Sequence, residues 1–190
     1  MKTPTRQFAL AATFAGALLA TTGAQAASGS LDLNLGPDAV QFEANGELTQ
    51  GVALGGGVLH SDYRDDATIY HAQLLGVQRN RDRDIGVGAR WTHYDTDHGS
   101  GGGLGLGGYG YVFLPQMPDV SVGGYGFYTP SVVTSSDLED GYEVGVRAGY
   151  AFTPNVDGYV GLRQAVADFD NGRGNRTLDR GAQVGVRLSF

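Results

Sequence analysis

The chain has 190 residues, no cysteine, a formal net charge of −7 and 32 glycines beside 10 tyrosines and 8 phenylalanines. The acidic balance argues against a phosphate backbone as partner, so no nucleic acid is expected. Without cysteine there is neither a disulfide framework nor a lipoprotein anchor.

Lys2 and Arg6 open the chain, Phe8 to Ala20 is an apolar run, and Ala24-Gln25-Ala26 is a small-x-small site. That layout predicts a cleaved signal peptide over residues 1–26 and one exported domain over 27–190. Beyond the leader there are eleven arginines, no lysine and all twenty acids, a net charge near −9. No apolar run there reaches eighteen residues, which excludes a helical membrane span. Glycine-rich chains are disordered when aromatics and alternation are missing. Here the glycines lie inside alternating runs.

Those runs are Leu31–Leu35, Ala39–Glu47, Val52–His60, Ala67–Gln78, Ile85–Thr96, Gly103–Leu114, Val120–Thr129, Gly141–Phe152, Val156–Ala167 and Gly181–Phe190. Most have the length that a tilted strand needs to cross a bilayer, longer than ordinary soluble strands. In the last run Ala182, Val184, Val186, Leu188 and Phe190 alternate with Gln183, Gly185, Arg187 and Ser189. An apolar strand left as an open edge invites aggregation, and closing it onto the first strand removes the edge. The expectation is an all-β fold, a closed antiparallel transmembrane barrel.

Breaks between runs alternate in length. Counted back from the end, Asp168–Arg180, Pro130–Asp140 and Asp97–Gly102 are long, while Thr153–Asn155, Pro115–Asp119 and Asn80–Asp84 are short. Ser61–Asp66 and Leu48–Gly51 continue the alternation. Outer-membrane barrels have short periplasmic turns and longer outer loops, so the long breaks are placed outside. An even strand count follows. Splitting the first segment at Gly36-Pro37-Asp38 gives ten strands, with eight as the alternative.

Face assignment sends Glu43, Arg90, Glu143, Arg147, Asp157, Arg163 and Arg187 into the lumen, because arginines facing lipid cost about 2–4 kcal/mol each at the midplane. Buried charges need partners, and the mixed signs predict an ion-pair network in a narrow or occluded bore. Aromatics such as Tyr109, Tyr111, Phe113, Tyr125, Phe127, Tyr128, Tyr142, Tyr150, Phe152, Tyr159 and Phe190 are expected at the membrane interfaces as girdles.

The segment S-L-D-L-N-L-G-P-D-A-V at Ser30–Val40, with L-G-G-G-V-L-H at Leu54–His60, resembles the YfaZ family of bacterial outer-membrane proteins. The resemblance implies a Gly-rich barrel in the outer membrane of a Gram-negative bacterium, and supplies no catalytic or ligand motif. Phe190 resembles the carboxy-terminal signal read by the barrel assembly machinery.

Chemistry is sparse. His93-Tyr94-Asp95-Thr96-Asp97-His98 is the densest polar cluster; His93, Asp95 and Asp97 share a strand face and are candidate metal ligands, though a plain polar rim is the simpler expectation. His60, Ser61 and Asp62, and Ser135, Ser136 and Asp137, contain the residue types of a hydrolase without its spacing or any nucleophile elbow. Neither an enzyme nor a cofactor is expected. Asp62, Asp65, Asp66, Asp137, Glu139, Asp140, Asp168, Asp170 and Asp179 make the outer loops acidic, while Arg79, Arg81 and Arg83 make one inner turn basic. Acidic loops could hold divalent cations that bridge lipopolysaccharide phosphates. The functional expectation is a structural or interaction barrel in outer-membrane lipid; a small passive pore and a lipid- or peptide-modifying enzyme are the alternatives.

Overall fold

A strand that is apolar on one face and polar on the other satisfies both faces in a membrane only when its sheet closes on itself. The computed structural model has that form, and describes residues 28–63, 66–96, 99–136, 138–169 and 176–190. The predicted leader, residues 1–26, lies outside the described residues.

Ten long strands make the wall: β1 (Gly29–Leu35), β2 (Ala39–Thr49), β3 (Val52–Ser61), β4 (Ala67–Arg79), β5 (Arg83–Thr96), β6 (Gly99–Leu114), β7 (Met117–Thr129), β9 (Leu138–Thr153), β10 (Val156–Phe169) and β11 (Arg176–Ser189). A three-residue strand, β8 (Thr134–Ser136), follows a 3-10 turn at Ser131–Val133. It continues the pairing of β7 along the outer end of β6, with Gly101 opposite Ser136. All neighbours are antiparallel, and β5–β6 and β1–β11 pairing closes the ring. Backbone bonds between Gly29 and Phe190, 2.8 and 3.0 Å, fasten the two ends.

The ten wall strands match the expected number, but each runs further than expected, and four of them reach well into stretches expected to be outer loops. β10 continues to Phe169 and β11 begins at Arg176, so much of the supposed loop Asp168–Arg180 is sheet. β6 begins at Gly99 and β9 at Leu138. Polar residues in these stretches suggested loops, yet alternation persists through them.

Outward residues form an apolar belt. Leu188, Val186 and Val184 of β11 are exposed, as are Leu162 and Val160 of β10 and Val146 of β9. Tyr70, Trp91, Tyr128, Tyr150, Phe152 and Phe190 also face out, and the His93 ring stacks on Trp91 at 5.9 Å.

Several aromatics assigned to girdles instead face the lumen. Phe127 and Tyr159 are buried, and Tyr109 donates to Asp84 inside the bore at 2.9 Å. Tyr109, Tyr125, Phe127 and Tyr159 each lie over a glycine of the adjoining strand. A Cβ built on Gly145 would stand 2.5 Å from Tyr125 Cε1, and one on Gly185 would stand 2.3 Å from Tyr159 Cζ. These glycines are lumen-facing gaps into which tyrosine rings fold flat.

Gly145→Val is therefore expected to destabilise the barrel by about 1–3 kcal/mol through overpacking. Gly46→Ala, where an added Cβ meets nothing within 4 Å, is expected to be near neutral. Urea unfolding in lipid vesicles, followed through Trp91 fluorescence, separates the two.

Candidate functional site: a braced and plugged lumen

Inward positions of the ten strands converge on the bore, and their side chains divide it into five levels. The inner mouth holds Arg79, 3.4 Å from Asp84 and 3.9 Å from Glu47. Above it, Asp32 of β1 accepts a hydrogen bond from Arg187 Nε at 3.1 Å and lies 3.6 Å from Arg147 Nη1. Tyr159 also donates to Asp32. The Arg147 guanidinium stands 4.5 Å from the Tyr159 ring centre and 5.0 Å from that of Tyr125, so cation–π contacts hold it.

Arg90 of β5 dominates the middle level. Its Nη1 donates to Glu143 Oε2 across the bore at 3.0 Å, and its Nε and Nη2 reach Gln73 Oε1 at 3.0 and 2.8 Å. Gln73 passes the network to Asn45 at 3.0 Å and Glu43 at 3.3 Å. His71 Nε2 is 3.6 Å from Glu43 Oε2. Phe127 lies beneath the Arg90 guanidinium at 3.6 Å.

One level further out, Arg163 of β10 binds Asp179 Oδ2 at 2.6 Å and also donates to Gln41 of β2. Ser61 Oγ caps the same carboxylate at 3.3 Å. Outermost is an apolar plug: Leu59, Ile69, Tyr94, Leu138, Phe169 and Leu178, with Ala67, Ala165 and Ala167 filling between them. Phe169 and Leu59 are among the largest fully buried side chains.

Open space survives only toward the inner end among the described cavities of the bore. A vestibule of about 260 Å³ is lined by Arg147, Arg187, Asp157, Tyr111, Tyr159 and Phe113. It leads to a narrower recess of about 70 Å³ bounded by Arg90, Glu143 and Tyr125. The short turns and both strand termini lie at this end, which by the loop-length rule is the periplasmic one.

A family model described as "YfaZ precursor" matches residues 5–190. The chain belongs to the YfaZ family. Its precursor form agrees with a leader removed on export, and the fold places the mature chain in the outer membrane. The outer membrane protease OmpT from Escherichia coli is similar at 12% identity and TM-score 0.54, over 86% of this chain and 93% of that one. A KdgM porin in complex with disordered oligogalacturonate is similar at 12% identity and TM-score 0.45, over 86% and 99%. Neisserial surface protein A aligns at 16% identity and TM-score 0.40, over 86% and 94%. At these identities the likeness concerns the fold alone. A search of curated proteins gives no match.

The charged residues chosen from the sequence of this YfaZ-family barrel lie in the bore, where one pair among them is in direct contact, Arg90 with Glu143, while Arg147 and Arg187 share Asp32, which was not among them. Arg163 and Glu43 pair with residues not foreseen, Asp179 and His71. Asp157 stands opposite Arg187 in register but makes no ion pair within 4 Å among the described residues. Asp179, expected in an acidic loop, is a buried strand residue. Its signal was parity, since it falls on the same face as Gly181, Gln183 and Arg187. Asp32 was equally visible, alternating with Leu31, Leu33 and Leu35.

Of the three metal candidates, two are described. His93 lies on the outward face stacked on Trp91, Asp95 is exposed, and Asp97 lies outside the described residues. A different trio, His60, Asp62 and Asp66, has ligand atoms within 4.8 Å of one another. Its two carboxylates approach opposite ring nitrogens, Nε2 at 3.5 Å and Nδ1 at 3.7 Å, and Nδ1 already contacts Thr68 Oγ1 at 3.1 Å. Such an arrangement does not converge on one ion. His60 and Ser61 point to opposite sides of the sheet, His60 outward and Ser61 to Asp179, so they form no catalytic pair.

Asp32→Ala strips the carboxylate shared by Arg147 and Arg187, and is expected to destabilise the barrel by about 3–5 kcal/mol. Asp32→Asn, which keeps the shape and part of the hydrogen bonding, should cost less. Urea titration of both variants refolded in vesicles gives the comparison.

Proposed function

We propose that this protein is a non-conducting outer-membrane barrel of structural or interaction type, whose lumen is filled by its own charged and apolar side chains. The observation that carries this reading is the plug of Leu59, Ile69, Tyr94, Leu138, Phe169 and Leu178 stacked on the Arg163–Asp179–Gln41 brace. A solute crossing the wall would have to displace both. Apolar side chains repel water from the outer end, while the brace beneath is held by charge-assisted bonds about twice as strong as neutral ones. The interior therefore serves cohesion. Contact with other molecules falls to the outer rim, the lipid-facing belt and the periplasmic vestibule.

Single-channel recording in planar bilayers tests this. The wild-type protein is expected to give a closed baseline, and long-lived openings of porin size would overturn the proposal. Phe169→Ala combined with Arg163→Ala removes plug and brace together, and is expected to open a small conductance.

A further inference from the structure

On the outward face of β11 the residues Leu188, Val186, Val184 and Ala182 are followed by Arg180. Arg180 is exposed and makes no ion pair or hydrogen bond with the described residues. Eight residues of tilted strand separate it from Leu188, about 20 Å of height, in an apolar belt about 25 Å tall. Arg180 thus sits at the outer margin of the belt, at the depth of the outer-leaflet headgroups. A guanidinium in that position needs an anion.

Its surroundings are built for one with a tail attached. Gln164 is the cross-strand neighbour of Arg180 on β10 and donates to the Tyr142 hydroxyl of β9 at 2.9 Å, so three polar groups stand in a row across three strands. Toward the membrane centre from them runs a groove of about 700 Å³, walled by Val144, Val146, Leu162 and Ala182 and floored by Gly124 and Gly145. Gly124, which faces outward without a side chain, deepens the trough, and the backbone of Gly145 completes its floor. Asp140 and Asp168 face each other beyond Gln164 on the outer side, and neither pairs with Arg180. They confine a bound anion to the membrane side of themselves.

We infer that Arg180, Gln164 and Tyr142 form a docking site for a phosphate of an outer-leaflet lipopolysaccharide, with one acyl chain lying in the groove over Gly124 and Gly145. The guanidinium supplies a charge-assisted bond to the phosphate oxygen. Gln164 and Tyr142 line the adjoining polar strip, and the apolar trough accepts the chain. Arginine suits this role because its planar fork matches phosphate geometry.

The test is native mass spectrometry of the refolded full mature chain in detergent, offered purified diphosphoryl lipid A or the same lipid dephosphorylated. Wild-type protein is expected to retain the phosphorylated form about tenfold better, the size of one charge-assisted hydrogen bond. Arg180→Gln should abolish that preference, and Arg180→Lys should restore part of it. Heat-modified gel mobility shows that each variant is folded. Equal retention of both lipids by the wild type, or undiminished preference in Arg180→Gln, overturns the inference. Competition by millimolar inorganic phosphate with no retained lipid would also overturn it, since the site would then hold the free ion.

Discussion

Everything in this barrel depends on the pairing of four arginines with four carboxylates inside a bore that buries most of them. Arg90, Arg147, Arg163 and Arg187 meet Asp32, Glu143 and Asp179 directly, and Glu43 joins through Gln73. Alternation along a strand leaves no other place for these groups, since the opposite face is lipid. Closure then forces them together. The contacts do not simply link adjacent strands: β5 reaches β9, β9 reaches β1, and β10 reaches β2. Sheet hydrogen bonds tie each strand to its neighbours around the ring, and these braces span the bore between strands three places apart.

Glycine and tyrosine set the room in which the braces operate. A ring that lies flat on a glycine of the adjoining strand thickens the wall without crossing the bore. It also offers its face to a guanidinium. Arg147 is held between Tyr125 and Tyr159 in this way, and Arg90 lies on Phe127. Composition and charge network are thus one design: removing the side chain at Gly145 or Gly185 admits a ring, and the ring positions an arginine.

Period-two patterning was enough to identify the closed antiparallel barrel, though Asp179 was read as loop and Asp32 was passed over. Strand ends were harder, because polarity was mistaken for looping. Phe169 and Asp179 sit in D-F-D-N-G-R-G-N-R-T-L-D-R, a composition typical of loops, yet both are buried parts of long strands. The apolar plug was hidden for the same reason, since its members come from six separate strands and no local window contains more than a few. Cross-bore partners such as Asp32 for Arg147 are far apart in the chain, and only the shear of the closed sheet sets which levels meet. Inward tyrosines were misassigned because an aromatic near a strand end fits a girdle and a lumen equally well until the neighbouring glycine is known.

The two ends of the bore are chemically unlike, and that difference strengthens its middle. At the outer end the plug keeps water from Arg163 and Asp179, so their 2.6 Å contact operates at low effective dielectric. At the inner end the vestibule leaves Arg187 and Asp157 partly exposed, where solvent screens them and a lost pairing costs less. The worth of a pairing therefore falls from the plug toward the mouth of the vestibule. Among the described residues the constriction runs from the middle of the bore up through the plug, and the open vestibule lies on the periplasmic side.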